Sequence, residues 1–441
     1  MSAIDLSEAE ARALLQRTLK HSRAEHCEVA LRASARGNVR TARNAVSTAG
    51  LNEDHVVTVT SRFGRRSASA SGNQLDDRTL ERIVRAAEEL ARLAPEDPEW
   101  VAPLGPQTYA AVPAAWNDAT ARLSPADRVG LTAPGLATAK ERGCLAASYL
   151  EDNRAVQARL SSTGLFGYHR STVAEYSVTM RTTDDAGSGS AAVDQNDVTR
   201  LDAAAAARVA TEKAVASRER HELAPGTYPV ILEPLAAAEL VSLLMFALGA
   251  RSADEGRSPF SKTGGGTRIG ETLFSDAVSL RSDPADPDVP GTPWAFDGRP
   301  HAAQTWIEHG VVRTLHGSRY WSEQKGVALP PAPSRYRMDG GRGTLEELIK
   351  GTERAVLVTR LWYIRSVDPR TLLHTGLTRD GTFLVENGRI VHAVNNFRFN
   401  ESPIAMLQDV QALSAPVRAN GSMLPAMRLG KFTFTSVSDA V

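Results

Sequence analysis

Cysteine is nearly absent from this sequence, and its scarcity excludes several classes of protein. Cys27 and Cys144 are the only two cysteines among 441 residues, too few for a disulfide framework or a cysteine-rich zinc site. No apolar run approaches the ~20 residues that a membrane-spanning helix needs. The segment 1–8 lacks a basic stretch followed by an apolar one. We therefore expect no signal peptide, no membrane association and a cytoplasmic location.

The chain also has a formal net charge of zero. The 51 Lys and Arg residues balance the 51 Asp and Glu residues, whereas a protein that binds duplex nucleic acid needs a basic surplus. Hydrophobic residues make up 42% of the chain and charged residues 23%, which is ordinary for a globular protein and excludes wholesale disorder. We therefore expect a folded chain with no nucleic-acid partner.

Familiar catalytic motifs are also missing. The sequence contains neither a G-x-x-x-x-G-K-S/T phosphate loop nor a G-x-S-x-G nucleophile elbow. The glycine-rich segment 264–270 could cradle a phosphate, and the acidic segment 283–288 could hold a hard cation. A flexible loop and a solvated turn are the simpler interpretations of these two segments. The ten histidines are scattered; His374, which the pattern places in a turn, is the most interesting of them.

The length of the chain predicts two domains, because 441 residues exceed what one ordinary core supports. A break at 223–226, rich in Pro and Gly, follows a long alanine-rich helix, and we place the boundary there. The predicted fold class is α+β. Two domains, 1–222 and 223–441, each combine a mainly antiparallel sheet with packed helices.

Local signals fill in the elements of both domains. Ser7 and Glu10 form a capping-box pattern, and Ser124 followed by Pro125 marks another helix start. Gly and Asn between β-like runs predict a meander of three short strands near the N-terminus. The predicted strands are 27–33, 40–47, 55–61, 145–161, 172–182, 227–233, 306–312, 384–391 and 431–435. Helices are predicted at 201–218, 235–249, 345–350 and 403–413, in addition to three earlier ones that begin after residues 7, 73 and 124.

The order of several segments resembles a known family. The strand-to-helix passage 229–240, the Ile-Glu-x-Gly hairpin at 307–310 and the segment 375–388, which ends in Val-Glu-Asn-Gly, carry the likeness in the second half. The patterns at 161–165 and 94–98 extend it to the first half. The chain is similar to the TldD/PmbA (TldE) family of zinc metallopeptidases along nearly its whole length.

The resemblance also says where zinc would be bound. Active TldD-type members carry His-Glu-x-x-x-His on the apolar helix and a cysteine near the C-terminus, because zinc needs imidazole and thiolate ligands and the Glu moves a proton. Here Met245, Phe246 and Ala250 occupy the three helix positions, and the segment 420–427 has no cysteine. All three residues would also suit the core of a buried helix. The likeness therefore implies a metal-free TldE/PmbA-like member that is itself catalytically inactive and carries no cofactor.

Members of that kind pair with a TldD-like subunit, and the pair encloses a cavity for unfolded peptides. The resemblance thus implies a non-catalytic subunit that presents sheet edges to unfolded peptides or natural-product precursors while a zinc-bearing partner cuts them. By this interpretation the segments 257–300 and 335–343 line the cavity or the interface. The side chains expected to contact peptide are His374, Arg379, Asp380, Trp306 and Arg335.

Two alternatives remain open at this point. One is a stand-alone homodimer that binds peptides or proteins without any peptidase. The other is a tailoring enzyme that reuses the cavity without zinc, with His374, Arg379 and Asp380 as its polar groups. Whether the chain is an enzyme at all depends on which of these interpretations holds.

Overall fold

A computed structural model of the chain describes residues 3–438. The first sheet has six antiparallel strands in the order β3-β2-β1-β4-β5-β6. Its strands are β1 His26–Ala42, β2 Ala45–Phe63, β3 Arg66–Gly72, β4 Cys144–Ser161, β5 Phe166–Thr182 and β6 Ser188–Gln195. The helices of this part are α1 Glu8–Leu19, α2 Asp77–Leu93, α3 Asp118–Ala121, α4 Pro125–Glu141 and α5 Ala203–Ala216.

One face of this sheet is apolar and covered by helices. Along β4, Ala146, Leu150 and Val156 are buried, because alternate residues of a strand point to the same face. One end of this face packs against α1 and α2 and the other against α4 and α5. The opposite face is polar and carries Glu151 and Glu175.

The predicted meander of three short strands is wrong. The structure has a single long ribbon of β1 and β2, which turns at Arg43 and Asn44, both with positive φ (49° and 62°). Gly37 lies inside β1, where it makes room for a side chain and does not end the strand. A Cβ at Gly37 would lie 2.0 Å from the guanidinium carbon of Arg128. That arginine enters from α4 and forms a buried ion pair with Asp152.

The second half of the chain builds two further sheets. A ten-stranded sheet follows the order β14-β15-β18-β22-β8-β13-β16-β17-β7, with β19 beside β22, and a six-stranded sheet follows β11-β10-β9-β12-β21-β20. Most neighbours are antiparallel; β8/β13, β7/β17 and β12/β21 are parallel. The strands are β7 Arg220–His221, β8 Gly226–Leu232, β9 Leu280–Ser282, β10 Gln304–Glu308, β11 Val311–Val312, β12 Arg337–Met338, β13 Arg354–Val358, β14 Leu361–Asp368, β15 Leu373–Thr378, β16 Thr382–Glu386, β17 Arg389–Val394, β18 Asn396–Glu401, β19 Val410–Leu413, β20 Val417–Ala419, β21 Ser422–Leu424 and β22 Met427–Ser438.

Five helices of the described chain accompany these sheets, and one of them is central. They are α6 Pro234–Ala247, α7 Ala250–Asp254, α8 Arg319–Lys325, α9 Leu345–Lys350 and α10 Pro403–Gln408. Helix α6 begins with proline at its first turn, which suits the preset φ of that residue. Its Leu240, Val241 and Leu244 are fully buried in the largest core cluster. The helix predicted at 403–413 is too long, because the chain leaves α10 to pair as β19 with β22.

The observed architecture confirms the predicted α+β class with mainly antiparallel sheets. No helix within residues 3–438 is long and apolar enough to cross a membrane. Polar contacts tie the first sheet and its helices to the later sheets. Arg418 of β20 pairs with Asp194 of β6 over 2.6 Å, and Lys213 of α5 pairs with Glu233, just before α6, over 2.6 Å. The two parts therefore meet around the start of α6 and the β20–β21 turn.

Candidate functional site

The positions that correspond to zinc ligands lie where α6 ends and α7 begins. Met245 and Ala250 are buried, with 4% and 2% exposure. Phe246 is 86% exposed, so the expectation that it belongs to the core is wrong. Helix α6 turns Leu240 and Leu244 toward the core, and helical periodicity places Phe246 on the opposite side.

These three side chains do not fit a zinc ion. A thioether is a poor zinc ligand, and a benzyl or methyl group supplies no electron pair. Within the part of the chain that the structure describes, no three His, Cys, Asp or Glu side chains are close enough together to hold a metal ion. Cys27 and Cys144 are buried in the first sheet, far along the chain from α6. The donor set therefore offers no route to zinc chemistry at this helix.

One imidazole, that of His316, does lie beside the helix. His316 accepts a hydrogen bond from the backbone N–H of Ala250 over 2.8 Å and donates its own backbone N–H to Leu248 O over 2.8 Å. Its Nε2 is buried without a hydrogen-bond partner in residues 3–438. Burial lowers the pKa of His316. A single neutral imidazole cannot replace a set of zinc ligands. His316 is far from α6 in the sequence, so no local pattern indicated that the two lie side by side.

A cleft of about 440 Å³ lies along the exposed side of α6, and we call it the α6 cleft. One wall is the helix and the other is β14. This strand forms an edge of the ten-stranded sheet and, among residues 3–438, pairs only with β15. Its outer main-chain groups are therefore open to another strand. The α6 cleft is lined by Glu239, Ser242, Leu243, Trp362, Tyr363, Ile364 and Arg365.

Charge and aromatic surface are concentrated at this cleft. Burial raises the pKa of Glu239, and the positive charge of Arg360 partly opposes this effect. Trp362 is 39% exposed, and the guanidinium carbon of Arg379 lies 4.4 Å from the centre of its ring, a cation–π contact. The α6 cleft thus joins an aromatic wall, a carboxyl group and an open strand edge.

A second cleft, of about 310 Å³, separates the polar face of the first sheet from α6, and we call it the sheet cleft. It is lined by Tyr149, Glu175, Tyr176, Ser177, Ala192, Val193, Asp194, Leu235, Arg335, Asn420 and Gly421. Asn420 Nδ2 lies 3.5 Å from Glu239 Oε1. This contact connects the sheet cleft with the α6 cleft along one side of the helix.

Two more clefts, of about 280 and 470 Å³, follow the long irregular segment after α7. Ser282, Gln304 and Arg335 line both. The smaller one is walled by prolines and Trp306, the larger one by charged residues of 281–289 and 335–337. The acidic segment 283–288 is not free to bind a cation here, because Asp286 and Asp288 hold Arg337 at 2.8–2.9 Å.

The structure separates the five side chains predicted to contact peptide. His374 does not lie in a turn: it is buried in β15, and its Nδ1 lies 2.8 Å from Leu372 O. Asp380 is 2% exposed and accepts hydrogen bonds from Ser188 and Arg360, each over 2.6 Å.

The other three predicted side chains lie at or near clefts. Arg379 stacks on Trp362, which lines the α6 cleft. Trp306 is 1% exposed and donates through Nε1 to Ser282 Oγ over 3.0 Å, so it is mainly a core residue with one side on a cleft. Arg335 lines three of the four clefts described above. Of the five, only Arg335 places a charged group at the junction of the clefts.

Comparison with solved structures identifies the fold. TldE from Thermococcus kodakarensis superposes with a TM-score of 0.86 at 18% identity, covering 96% of this chain and 99% of its own. A candidate modulator of a DNA gyrase from Thermotoga maritima gives a TM-score of 0.86 at 15% identity, covering 96% and 100%. Another such candidate modulator, from Bacteroides thetaiotaomicron, gives 0.83 at 19% identity, covering 97% and 98%. The chain therefore has the TldE-type fold over nearly its whole length.

A family model matches the second half of the sequence. Residues 225–436 match the model of the PmbA/TldA metallopeptidase C-terminal domain. None of the curated proteins compared with the chain matches it. This match and the similar solved structures together support membership of the TldD/PmbA family, and the likeness stated from the sequence is confirmed.

Proposed function

We propose that this chain is the non-catalytic, TldE/PmbA-like subunit of a metallopeptidase in which a TldD-like partner carries the zinc. One observation carries the proposal: Met245, Phe246 and Ala250 stand where the family resemblance puts two histidines and a glutamate. Two of these side chains are buried and the third points to solvent. None can bind zinc or activate water. Hydrolysis, in this account, takes place in the cytoplasm on the partner subunit.

The α6 cleft supports a role in capturing unfolded peptide. Strand β14 offers main-chain groups on its outer edge, and a peptide that adds there gains hydrogen bonds independent of its sequence. Leu243 and Trp362 would contact its side chains from the two walls. This arrangement suits a subunit that accepts many unfolded peptides with loose preference.

The positions of His374 and Asp380 do not favour a tailoring enzyme that works without zinc. Both side chains are buried and already engaged within the fold. Arg379 stacks on an aromatic ring at the α6 cleft, and its Nε lies 3.9 Å from Asp380 Oδ2. Among the described residues, His374 takes part in neither contact. A stand-alone homodimer differs from the leading proposal in its partner, which the experiment below tests.

The test is a hydrolysis assay on the full chain alone, on a TldD-type protein from the same genome alone, and on both together. We expect the chain alone to be inactive and the mixture to co-elute and cut unfolded peptides. Leu243→Glu in the α6 cleft should weaken peptide cutting by the mixture. Leu93→Glu, on α2 and 83% exposed, is the matched control and should have no effect.

Chelator-sensitive hydrolysis by the chain alone would contradict the proposal. A stable homodimer that binds peptide but does not bind the TldD-type protein would also contradict it. That outcome would establish the alternative of a stand-alone peptide-binding homodimer.

A further inference from the structure

Arg335 carries a positive charge that no side chain in the described part of the chain pairs with directly. Within residues 3–438 its guanidinium forms neither a hydrogen bond nor an ion pair, in contrast to its neighbours. Arg337 is held by two carboxylates, and Arg418 is held by Asp194. A Cβ placed on Gly421 would lie 2.6 Å from the guanidinium carbon of Arg335. The charged group therefore sits against the β20–β21 turn, in the sheet cleft.

Glu175 is the unpaired opposite charge in the same cleft. It lies in the middle of a row of three carboxylates across β4, β5 and β6, directly between Glu151 and Asp194. Like charges in opposed positions on neighbouring strands destabilise a sheet. The two outer members have cations: Arg36 for Glu151 at 3.3 Å, and Arg418 for Asp194 at 2.6 Å. Glu175 has no hydrogen bond or ion pair in the described part of the chain.

Neighbouring charges act on the carboxyl group of Glu175. Burial, together with the charges of Asp194 and Glu151, raises its pKa, and Arg335 and Arg418 lower it. Glu175 and Arg335 thus interact through space without forming an ion pair. The Glu175 side chain is exposed and the Arg335 side chain is half-buried, so both charges stay open to a ligand that enters the cleft.

A ligand placed between these charges would satisfy both. A planar guanidinium binds a carboxylate through two parallel N–H···O bonds, and a carboxylate side chain accepts an N–H. The sheet cleft, at about 310 Å³, has the volume of a small-ligand site. Leu235 and Val193 add apolar surface beside the two charges.

We propose that the sheet cleft binds the C-terminal residue of a peptide, with its carboxylate on Arg335 and its backbone N–H on Glu175. The inference rests on the proposed function, peptide capture, and adds the chemical class of the ligand: a peptide with a free C-terminus. Asn420 joins this cleft to Glu239 in the α6 cleft. The residues before the C-terminus can therefore run along α6 toward the open edge of β14.

The test is fluorescence anisotropy on the full chain with a short peptide that ends in leucine and is labelled at its N-terminus. The same peptide is prepared as a free acid, as a C-terminal amide, and with an ester in place of its last amide bond. We expect the acid to bind about tenfold more tightly than the amide, as is typical for a hydrogen-bonded charged group. The ester, which lacks the last N–H, should bind several-fold more weakly than the acid.

Substitutions identify the groups responsible. Arg335→Ala should remove the preference for the acid, and Arg335→Lys should keep part of it. Glu175→Gln should reduce the difference between amide-bonded and ester peptides. Arg342→Ala is the matched control, because Arg342 is exposed and lines none of the four clefts. Thermal unfolding should show that Arg335→Ala still folds, since this side chain has no partner to lose.

The outcomes separate this inference from the function on which it rests. Equal binding of acid and amide by the unsubstituted chain, or an acid preference that survives in Arg335→Ala, would overturn the C-terminal site and leave peptide capture intact. Failure to bind any of the three peptides, with or without the TldD-type partner, would overturn peptide capture itself.

Discussion

Removing the guanidinium of Arg418 is a perturbation whose cost the structure defines well. Arg418 donates through Nε to Asp194 Oδ2 over 2.6 Å, and through Nη1 to Asn196 Oδ1 and to Asp288 O, each over 2.7 Å. The Arg418 and Asp194 side chains are only 7% and 9% exposed. The pair therefore joins β6 to β20 away from water, at one wall of the sheet cleft.

Arg418→Met would leave Asp194 buried without its cation. Breaking a buried pair by removing one partner costs about 3–5 kcal/mol of folding free energy. The double substitution Arg418→Met with Asp194→Leu should recover much of this loss, because it removes the unpaired charge as well. The matched control is Arg122→Met. Its pair with Asp118 is 76% and 68% exposed and should contribute less than about 1 kcal/mol.

The assay is urea unfolding followed by tryptophan fluorescence. We expect a lower midpoint for Arg418→Met, and a separate early transition if the two parts of the chain come apart first. A free energy of unfolding within about 1 kcal/mol of the unsubstituted chain, on the scale of an exposed pair, would refute the reasoning.

Three further predictions concern single residues. Burial lowers the pKa of His169 to about 4; the unfolded state, with an ordinary histidine, takes up the proton first as pH falls. Stability should therefore drop by about 3 kcal/mol between pH 6.5 and 4, and His169→Leu should flatten this part of the pH profile in denaturant titrations. Met245→Ala should cost about 2–5 kcal/mol because it opens a cavity in the core, whereas the neighbouring Phe246→Ala should change the free energy of unfolding by no more than about 0.5 kcal/mol. Glu175→Gln should raise the melting temperature, because it removes the middle charge from a row of carboxylates.

Each of these three predictions has a result that would contradict it. An unchanged acid slope in His169→Leu would mean that another group dominates the loss of stability in that range. Equal costs for Met245→Ala and Phe246→Ala would contradict the opposite orientations of the two side chains. A lower melting temperature for Glu175→Gln would mean that this carboxylate stabilises the fold through a contact that the structure does not show.

Helix boundaries were predictable where local chemistry decides them. The capping box of Ser7 and Glu10 forms as expected, and Ser124 caps the helix that begins at Pro125 as expected, because these partners lie within one turn of the helix. The apolar helix α6 was also predictable from its composition. The exposure of Phe246 was not, since a helix with apolar residues on nearly all sides gives no indication of which side faces solvent.

Glycine was the main source of error in the strands. The sequence suggested turns near Gly37 and Gly376, but both lie within strands. At each position a large side chain packs directly against the backbone and leaves no room for a Cβ. A Cβ at Gly376 would lie 2.6 Å from the ring of Phe399. The clefts could not be predicted for a related reason. Sheet packing places Arg335 and Glu175 in the same cleft, and no local sequence pattern records that proximity.

The most direct test of the central claim is elemental analysis of zinc in the purified chain, after incubation with excess zinc and gel filtration, beside a TldD-type partner treated identically. We expect zinc far below one ion per chain here and close to one ion per chain in the partner. One tightly held zinc per chain, retained here and lost on substitution of side chains around α6, would contradict it.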